Sequence, residues 1–345
     1  MARVFQVQAA QVSGTAALKA AWWTLNGMAV RRLTRPGKGE PVDAKLADSP
    51  PLSRAALRRA WIEPFIKDAR DVAAGLYPPS ERVATPAHAL ARAVDFLSDA
   101  RRVDRRRRRQ GGGVEVRDTV EAKGYPAYYR QNFHFQSDGW FSAQSAARYE
   151  AQVEALFSGA AGGMRRRALS LLAQAWRGVD QRDLVVVDLA CGSGAFLVDL
   201  KAAFPRAKVF GVDLSEAYAR HAAKTSSAPV AVANAERLPF ADQSLDAISC
   251  IYLFHETPPR YRLAIAREIA RVLKPGGYLA FADSVQASDT PGLERLLAAF
   301  PAFFHEPFYE SYQRLDIAAL FAEAGLAQVA EDQAFLTKAR LFAKE

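Results

Sequence analysis

The spacing of apolar residues divides the chain into a helical first part and an alternating second part. Before residue 140, apolar residues recur at helical intervals in two stretches, Leu52–Leu76 and Pro86–Val103. The first 50 residues mix glycine, proline and basic residues without a sustained period. We therefore expect a weakly ordered basic extension over residues 1–50 and a helical, aromatic subdomain over residues 51–139.

From Leu184 onward, short runs rich in β-branched residues alternate with stretches of helical periodicity. The predicted strands are 184–189, 208–212, 230–233, 245–251, 277–282, 327–330 and 334–342, and the predicted helices are 195–203, 215–223, 260–273, 293–300 and 317–324. Apolar strands separated by helices of this length form a sheet that is covered on both faces. The sequence thus predicts an α/β domain over residues 140–345, with a doubly wound, mostly parallel sheet, an antiparallel strand at its C-terminal end and a helical N-terminal extension.

The basic charge of the chain is concentrated in its first part. The net charge is +9, and residues 1–125 contain 23 Lys and Arg against 13 Asp and Glu, so the rest of the chain is close to neutral. The densest basic stretch is Arg101–Arg109, which precedes three glycines. Such a run can contact nucleic acid or an acidic membrane surface, or it can be the solvated end of a helix.

Cysteine use and hydropathy narrow the class of protein. Cys191 and Cys250 cannot form a disulfide framework, and neither belongs to a pair with metal-ligand spacing. The most apolar N-terminal run, Ala16–Val30, is interrupted by Lys19 and Asn26 and is too short to span a membrane. We therefore expect a reducing, cytoplasmic compartment, no transmembrane helix and no metal site.

The first segment with recognisable chemistry is VVVDLACGSG at residues 185–194. Here an apolar strand leads into a turn of small residues, so ligand atoms can approach the backbone closely at Gly192 and Gly194. A dinucleotide fingerprint would place Gly or Ala at position 197, where this chain has Leu197. This departure counts against NAD as the cofactor.

An acidic residue, Asp213, ends the next predicted strand, 19 residues after Gly194. A carboxylate at this place can accept hydrogen bonds from both hydroxyl groups of a ribose. NAD and S-adenosylmethionine (SAM) would use such an acid equally. The alternative is that Asp213 only caps the helix that starts near Ser215.

Two further segments distinguish these cofactors. ANAERLPF at residues 233–240 precedes SLDAISCI at 244–251, and RVLKPGGYL follows at 271–279. With the first two segments, their order and spacing resemble class I SAM-dependent methyltransferases of the small-molecule type, such as those of ubiquinone and menaquinone biosynthesis. The resemblance covers roughly residues 184–283. It implies a Rossmann-like fold, SAM as the cofactor, and methyl transfer to a small or medium organic acceptor.

The resemblance also implies roles for the residues that match the family's motifs. Asp188 and the turn at Gly192 and Gly194 would line the methionine part of SAM. Asp213 would hold the ribose, and Leu214 would pack on the adenine.

Two positions depart from the family's pattern. Asn234 stands where an acidic residue commonly faces the adenine amino group, although its amide oxygen can still accept that hydrogen bond. Ala190 replaces the first glycine of the turn. The resemblance further implies that Ala235 offers a backbone N–H to the adenine and that Ile251 offers a backbone carbonyl to the methionine amino group.

Methyl transfer from a sulfonium is an in-line displacement, so positioning and desolvation can supply most of the acceleration. A base is needed only when the acceptor loses a proton. His255 and Glu256 follow the strand that ends near Ile251, where a doubly wound sheet opens toward its ligand, and His305 lies in a second aromatic segment. These three are the candidate catalytic groups, with packing roles as the alternative.

Aromatic residues cluster on either side of the cofactor motifs, near residues 125–140 and 303–309. In the resembling family, the segment before the first strand and the insertion after the fifth commonly cover the active site. We therefore expect acceptor contacts from six residues: Tyr128, Tyr129, His134, Trp140, Phe304 and Tyr309. The alternative is that these side chains are ordinary core.

Two other functions are compatible with the sequence. One is a nucleic-acid methyltransferase that grips phosphates with Arg101–Arg109, and the other is a non-catalytic SAM-binding or interaction protein. No recognised RNA-binding module is visible, and the charge of residues 126–345 is close to neutral. A small-molecule acceptor is therefore the expected partner.

Overall fold

The computed structural model describes residues 14, 21–25, 52–80, 103–105, 112–119 and 121–345. Most of the predicted basic extension, of the second predicted helix and of the Arg-rich run lies outside the described residues. None of the helices in these described residues combines the length and the apolar character that a membrane span requires.

A sheet of seven strands lies within residues 121–345. The strands are β1 (Val185–Leu189), β2 (Lys208–Asp213), β3 (Val230–Val232), β4 (Leu245–Ile251), β5 (Leu273–Ser284), β6 (Leu326–Ala334) and β7 (Thr337–Lys344). Their order is β3-β2-β1-β4-β5-β7-β6. The first five strands are parallel, whereas β7 runs antiparallel to both β5 and β6. This arrangement confirms the predicted Rossmann-like sheet with an antiparallel C-terminal strand.

Helices cover both faces of the sheet. They are α1 (Arg54–Ala73), α2 (Ala143–Leu156), α3 (Ala161–Ala175), α4 (Ala195–Ala203), α5 (Glu216–Ser226), α6 (Pro259–Val272), α7 (Glu294–Phe303), α8 (Tyr309–Gln313) and α9 (Ile317–Glu323). Short 3₁₀ segments occur at Gly112–Asp118, Phe133–Phe135, Phe254–Glu256 and Ala287–Asp289. Because side chains alternate along a strand, Val186 packs in the core beneath α3 and α4, while Val187 packs in the core beneath α6 and α9.

Buried ion pairs attach α1 to the sheet domain. Arg166 of α3 pairs with Asp68, and Nη2 of Arg167 lies 2.7 Å from Oδ2 of Asp71. Both arginine side chains are almost completely buried, so each needs its carboxylate partner to offset the loss of water. The helix predicted over Leu52–Leu76 is therefore present and is held against α3.

The segment before α2 lies over the carboxyl end of β2. The hydroxyl of Ser215, which caps α5, donates to the carbonyl oxygen of Trp140 at 2.5 Å. The backbone N–H of Glu216 donates to the hydroxyl oxygen of Tyr125 at 3.2 Å. These bonds fix the aromatic segment over the sheet edge where a doubly wound fold binds its ligand.

Candidate active site

The turn between β1 and α4 has an unusual backbone. Ala190, Gly192 and Gly194 have φ angles of +56°, +54° and +80°. A Cβ added at Gly194 would lie 2.8 Å from Cα of Ala222, so only glycine fits there. Added at Gly192, it would come no nearer than 4.0 Å to any neighbour, so glycine is favoured there by the backbone angle alone. The turn leaves backbone atoms open to a ligand at Gly192.

Asp213 is held in place by backbone hydrogen bonds. Its Oδ2 accepts from the N–H of Gly192 and its Oδ1 accepts from the N–H of Ser215, each at 2.8 Å. Burial raises the pKa of Asp213 to about 6, and the two N–H donors act against that rise. Each carboxylate oxygen keeps a further lone pair, so the group can accept hydrogen bonds from a bound diol.

A cleft lies at the carboxyl ends of β1, β2 and β4, with about 780 Å³ of space that is partly open to solvent. Six of the predicted cofactor residues line it: Gly192, Asp213, Leu214, Asn234, Ala235 and Ile251. The other two, Asp188 and Gly194, lie behind the lining. Oδ1 of Asp188 accepts from the hydroxyl of Ser249 at 2.6 Å, and burial raises the pKa of Asp188 to about 7.

Aromatic side chains form a second part of the lining. Tyr128, Tyr129 and Trp140, three of the predicted acceptor contacts, face the cleft. Phe133 stacks on Trp140 with 4.5 Å between ring centroids and 5° between ring planes. Tyr149 of α2 also lines the cleft, and it is not among the acceptor contacts predicted from the sequence. The cleft is thus lined by both polar and aromatic groups.

The two predicted aromatic segments, near residues 125–140 and 303–309, contact each other behind an aromatic wall formed by Tyr128, Tyr129 and Trp140. Phe133 and Phe308 lie 6.4 Å apart by ring centroid, and His134 and Phe304 lie 6.3 Å apart. Tyr309 is buried, and its hydroxyl is hydrogen-bonded to that of Ser284 at 2.8 Å. His134, Phe304 and Tyr309 therefore support the wall and do not themselves line the cleft.

The three candidate catalytic groups occupy different positions. Glu256 lines the cleft, whereas His255 is buried behind it and directs Nδ1 to Oδ1 of Asp283 at 2.6 Å. Burial lowers the pKa of His255, but the negative charge of Asp283 outweighs this and raises the pKa to about 9. His305 Nε2 lies 2.8 Å from Oε1 of Gln131, away from the cleft lining.

A buried cluster joins Glu256 to the second aromatic segment. His134 Nε2 lies 3.4 Å from Glu256 Oε1 and 2.6 Å from Glu306 Oε1. Burial lowers the pKa of His134, but the charges of Glu306 and Glu256 raise it overall to about 10. Burial has the opposite effect on a carboxyl group, and it raises the pKa of Glu256 to about 7. Neither Glu306 nor the grouping of these three residues was expected from the sequence.

Sequence comparison relates part of this chain to known methyltransferases. Residues 186–277 match the family model described as a methyltransferase domain. The chain is 32% identical over 119 residues to the fatty-acid O-methyltransferase of Mycolicibacterium smegmatis, covering 34% of this chain and 43% of that protein. It is 34% identical over 142 residues to the demethylmenaquinone methyltransferase of Deinococcus radiodurans, covering 40% and 56%. The aligned regions thus span about half the length of these relatives.

Among solved structures, the chain is similar to the magnesium protoporphyrin IX methyltransferase of Synechocystis, determined with bound S-adenosylhomocysteine. The identity is 16%, the similarity covers 54% of this chain and 85% of that one, and the TM-score is 0.43. The family match and the menaquinone methyltransferase relative agree with the motif order read from the sequence. Residues 186–277 therefore form the core of a class I SAM-dependent methyltransferase domain.

Proposed function

We propose that this protein transfers a methyl group from SAM to a small or medium organic molecule with aromatic or apolar surface. The observation that carries the proposal is the mixed lining of the cleft. It combines the fixed Asp213 carboxylate beside Gly192 with the aromatic side chains of Tyr128, Tyr129 and Trp140. A cofactor that carries a ribose and an acceptor that is largely apolar would each find matching surface.

The lining residues fit SAM part by part. We assign the ribose hydroxyls to Asp213, because its fixed carboxylate has free lone pairs directed to the cleft. We assign the adenine to Leu214, Asn234 and Ala235, which line the same region. The methionine part is assigned to Gly192 and the Ile251 carbonyl, with Asp188 and Gly194 supporting the turn from behind.

The chain's contribution to the reaction is positioning and exclusion of water. SAM supplies an electrophilic methyl group when it is bound, and the protein holds the acceptor atom in line with it. Trp140 and Tyr129 are assigned to the acceptor's apolar surface, which they would shield from solvent. His134, Phe304 and Tyr309 are assigned to the support of that wall.

Among the candidate catalytic groups, we assign contact with the acceptor to Glu256, because it lines the cleft. His255 is assigned a positioning role: Asp283 accepts from the N–H groups of both Phe254 and His255 and thereby fixes the turn that carries Glu256. His305 is assigned to the packing of the second aromatic segment through Gln131.

The names of the relatives are compatible with an apolar acceptor. One acts on fatty acids and another on demethylmenaquinone, by their descriptions. We extend to this chain only the class of acceptor, an organic molecule with apolar surface.

The proposal is tested by incubating the protein with methyl-labelled SAM and fractionated cell extract. The Asp213→Asn variant serves as the control with weakened cofactor binding. We expect label in a small-molecule fraction that resists ribonuclease and protease, and much less label with the variant. Label confined to nucleic acid or to protein, or no transfer to any fraction, would contradict the proposed function.

A further inference from the structure

Three chain segments bring His134, Glu256 and Glu306 together beside the cleft. One donor atom from each lies within 4.8 Å of the donor atoms of the other two. The Glu306 side chain is 0% exposed, and those of Glu256 and His134 are 10% and 16% exposed. The cluster is therefore largely removed from solvent, yet Glu256 still reaches the cleft lining.

The cluster contains polar atoms that are buried without satisfactory hydrogen bonds. Among the residues that the structure describes, neither carboxylate oxygen of Glu306 has a hydrogen-bond partner, and nor does Nε2 of His134. The 2.6 Å contact between His134 and Glu306 is close enough for an ion pair, but its direction does not suit a hydrogen bond. Buried carboxylates normally accept several hydrogen bonds, so these atoms point to a partner of another kind.

The nearby basic groups do not supply that partner. His255 is directed to Asp283, and the guanidinium of Arg262 donates to the carbonyl oxygens of Phe254, Thr257 and Phe308 and to a serine hydroxyl. Within the described residues, the basic side chains within 4.0 Å of the two glutamates are histidines. A divalent ion in place of the proton on His134 would bring two positive charges to the two buried carboxylates.

The backbone holds His134 toward the glutamates. Its φ of +55° is uncommon for a histidine, and such conformations persist where the surrounding structure enforces them. The side chain of Asn132, two residues before His134, stabilises this loop. It donates to the carbonyl oxygen of Gln136 at 2.7 Å and accepts from the N–H of Val116 at 3.1 Å. The imidazole is thus presented by a fixed loop.

We propose that His134 Nε2 and the carboxylates of Glu256 and Glu306 bind a divalent first-row transition-metal ion. One imidazole and two carboxylates suit ions such as Zn²⁺, Mn²⁺ or Fe²⁺. An ion about 2.1 Å from each donor requires donors roughly 3.0–3.4 Å apart. The 3.4 Å separation of His134 and Glu256 fits this requirement, and the 2.6 Å contact needs to widen by less than about 1 Å.

The position of the site suggests what the ion does. Because Glu256 lines the cleft, a coordination position left open by the protein would face the acceptor. An ion there would bind an acceptor oxygen and lower the pKa of its hydroxyl group, whose proton would leave to solvent; the resulting oxyanion is the better nucleophile toward a methyl group. This role rests on the proposed function, whereas metal binding itself does not.

The test begins by removing metal from the full chain with a chelator and then titrating the protein with Mn²⁺. Binding is measured by the loss of the electron paramagnetic resonance signal of the free ion. We expect one tight equivalent for the wild type, and at least about tenfold weaker binding for Glu306→Gln, which keeps the side-chain shape and removes the charge. Glu310→Gln is the matched control, because Glu310 lies in the same segment but is exposed and paired with Arg314. It should bind Mn²⁺ as the wild type does.

A second measurement separates metal binding from folding and from the proposed function. Zn²⁺ should raise the thermal unfolding temperature of the wild type and of Glu310→Gln, but not of Glu306→Gln or Glu256→Gln. Binding of S-adenosylhomocysteine by all four proteins would show that they are folded. Absence of a tight Mn²⁺ equivalent, or equal Mn²⁺ affinity in the wild type and both glutamate variants, would overturn the proposal even if methyl transfer is found.

Discussion

Replacement of Asp213 by asparagine is the most informative change at the cofactor end of the cleft. Alanine would deprive the N–H groups of both Gly192 and Ser215 of their acceptor, so its effects on binding and on folding would be mixed. Asparagine keeps the shape of the side chain and one acceptor oxygen, and it removes the charge. Its amide nitrogen must face one of the two N–H groups or the ribose.

The expected loss follows from the bond that is removed. A hydrogen bond to a charged group contributes about 1.5–3 kcal/mol, and about 1.4 kcal/mol corresponds to a tenfold change in Kd. Asp213→Asn should therefore weaken binding of S-adenosylhomocysteine by about 10- to 150-fold. Its effect on stability should be smaller, because removal of a buried charge offsets part of the lost hydrogen bond.

The assay is calorimetric titration with S-adenosylhomocysteine at pH 7.5, with thermal unfolding of each variant measured in parallel. Asp183→Asn is the matched control, because Asp183 is exposed and lies just before the amino end of β1, at the edge of the sheet opposite the cleft. The control should bind as the wild type does. An unchanged Kd for folded Asp213→Asn would refute the assignment of the ribose to this carboxylate.

Three further predictions concern the cofactor turn and its acid. Affinity for S-adenosylhomocysteine should fall as the pH drops through about 6. The reason is that burial raises the pKa of Asp213 to about 6, and protonation removes a hydrogen-bond acceptor for the ribose. Equal affinities at pH 5 and pH 7.5 would contradict this prediction. Ala190→Gly should stabilise the protein by about 0.5–1 kcal/mol in urea unfolding, since relief of the left-handed conformation exceeds the added chain entropy. Gly194→Ala should destabilise it by about 2–4 kcal/mol, because its Cβ would meet Ala222 at 2.8 Å with φ at +80°. Unfolding at wild-type urea concentrations would argue against that contact.

The sequence predicts the sheet well where strand and helix patterns alternate cleanly. The helix expected over 195–203 is found as Ala195–Ala203, and the strand expected over 184–189 is found as Val185–Leu189. β5 begins at Leu273, four residues before the predicted start. Pro275 and the two glycines after it are not typical of a strand, and β5 pairs irregularly with β4 at this place.

The same contrast holds for the candidate site. The turn before α4 and Asp213 could be found because each lies at a strand end within a short contiguous motif. The buried cluster is formed by residues from segments far apart in the chain: His134, Glu256 and Glu306. Because each segment contributes a single metal-ligating side chain, no local spacing predicts the cluster. The left-handed backbone of His134 has no local signal either, since the residue is not a glycine.

A crystal structure of the complex with S-adenosylhomocysteine would show whether Asp213 and the cleft hold the cofactor as assigned. The decisive quantity is the distance from the ribose hydroxyl oxygens to the carboxylate oxygens of Asp213. We predict hydrogen-bond distances of about 2.5–3.0 Å, with the sulfur in the part of the cleft between Gly192 and Trp140. A ribose bound away from Asp213, or a ligand bound outside the cleft at the carboxyl ends of β1, β2 and β4, would contradict the account.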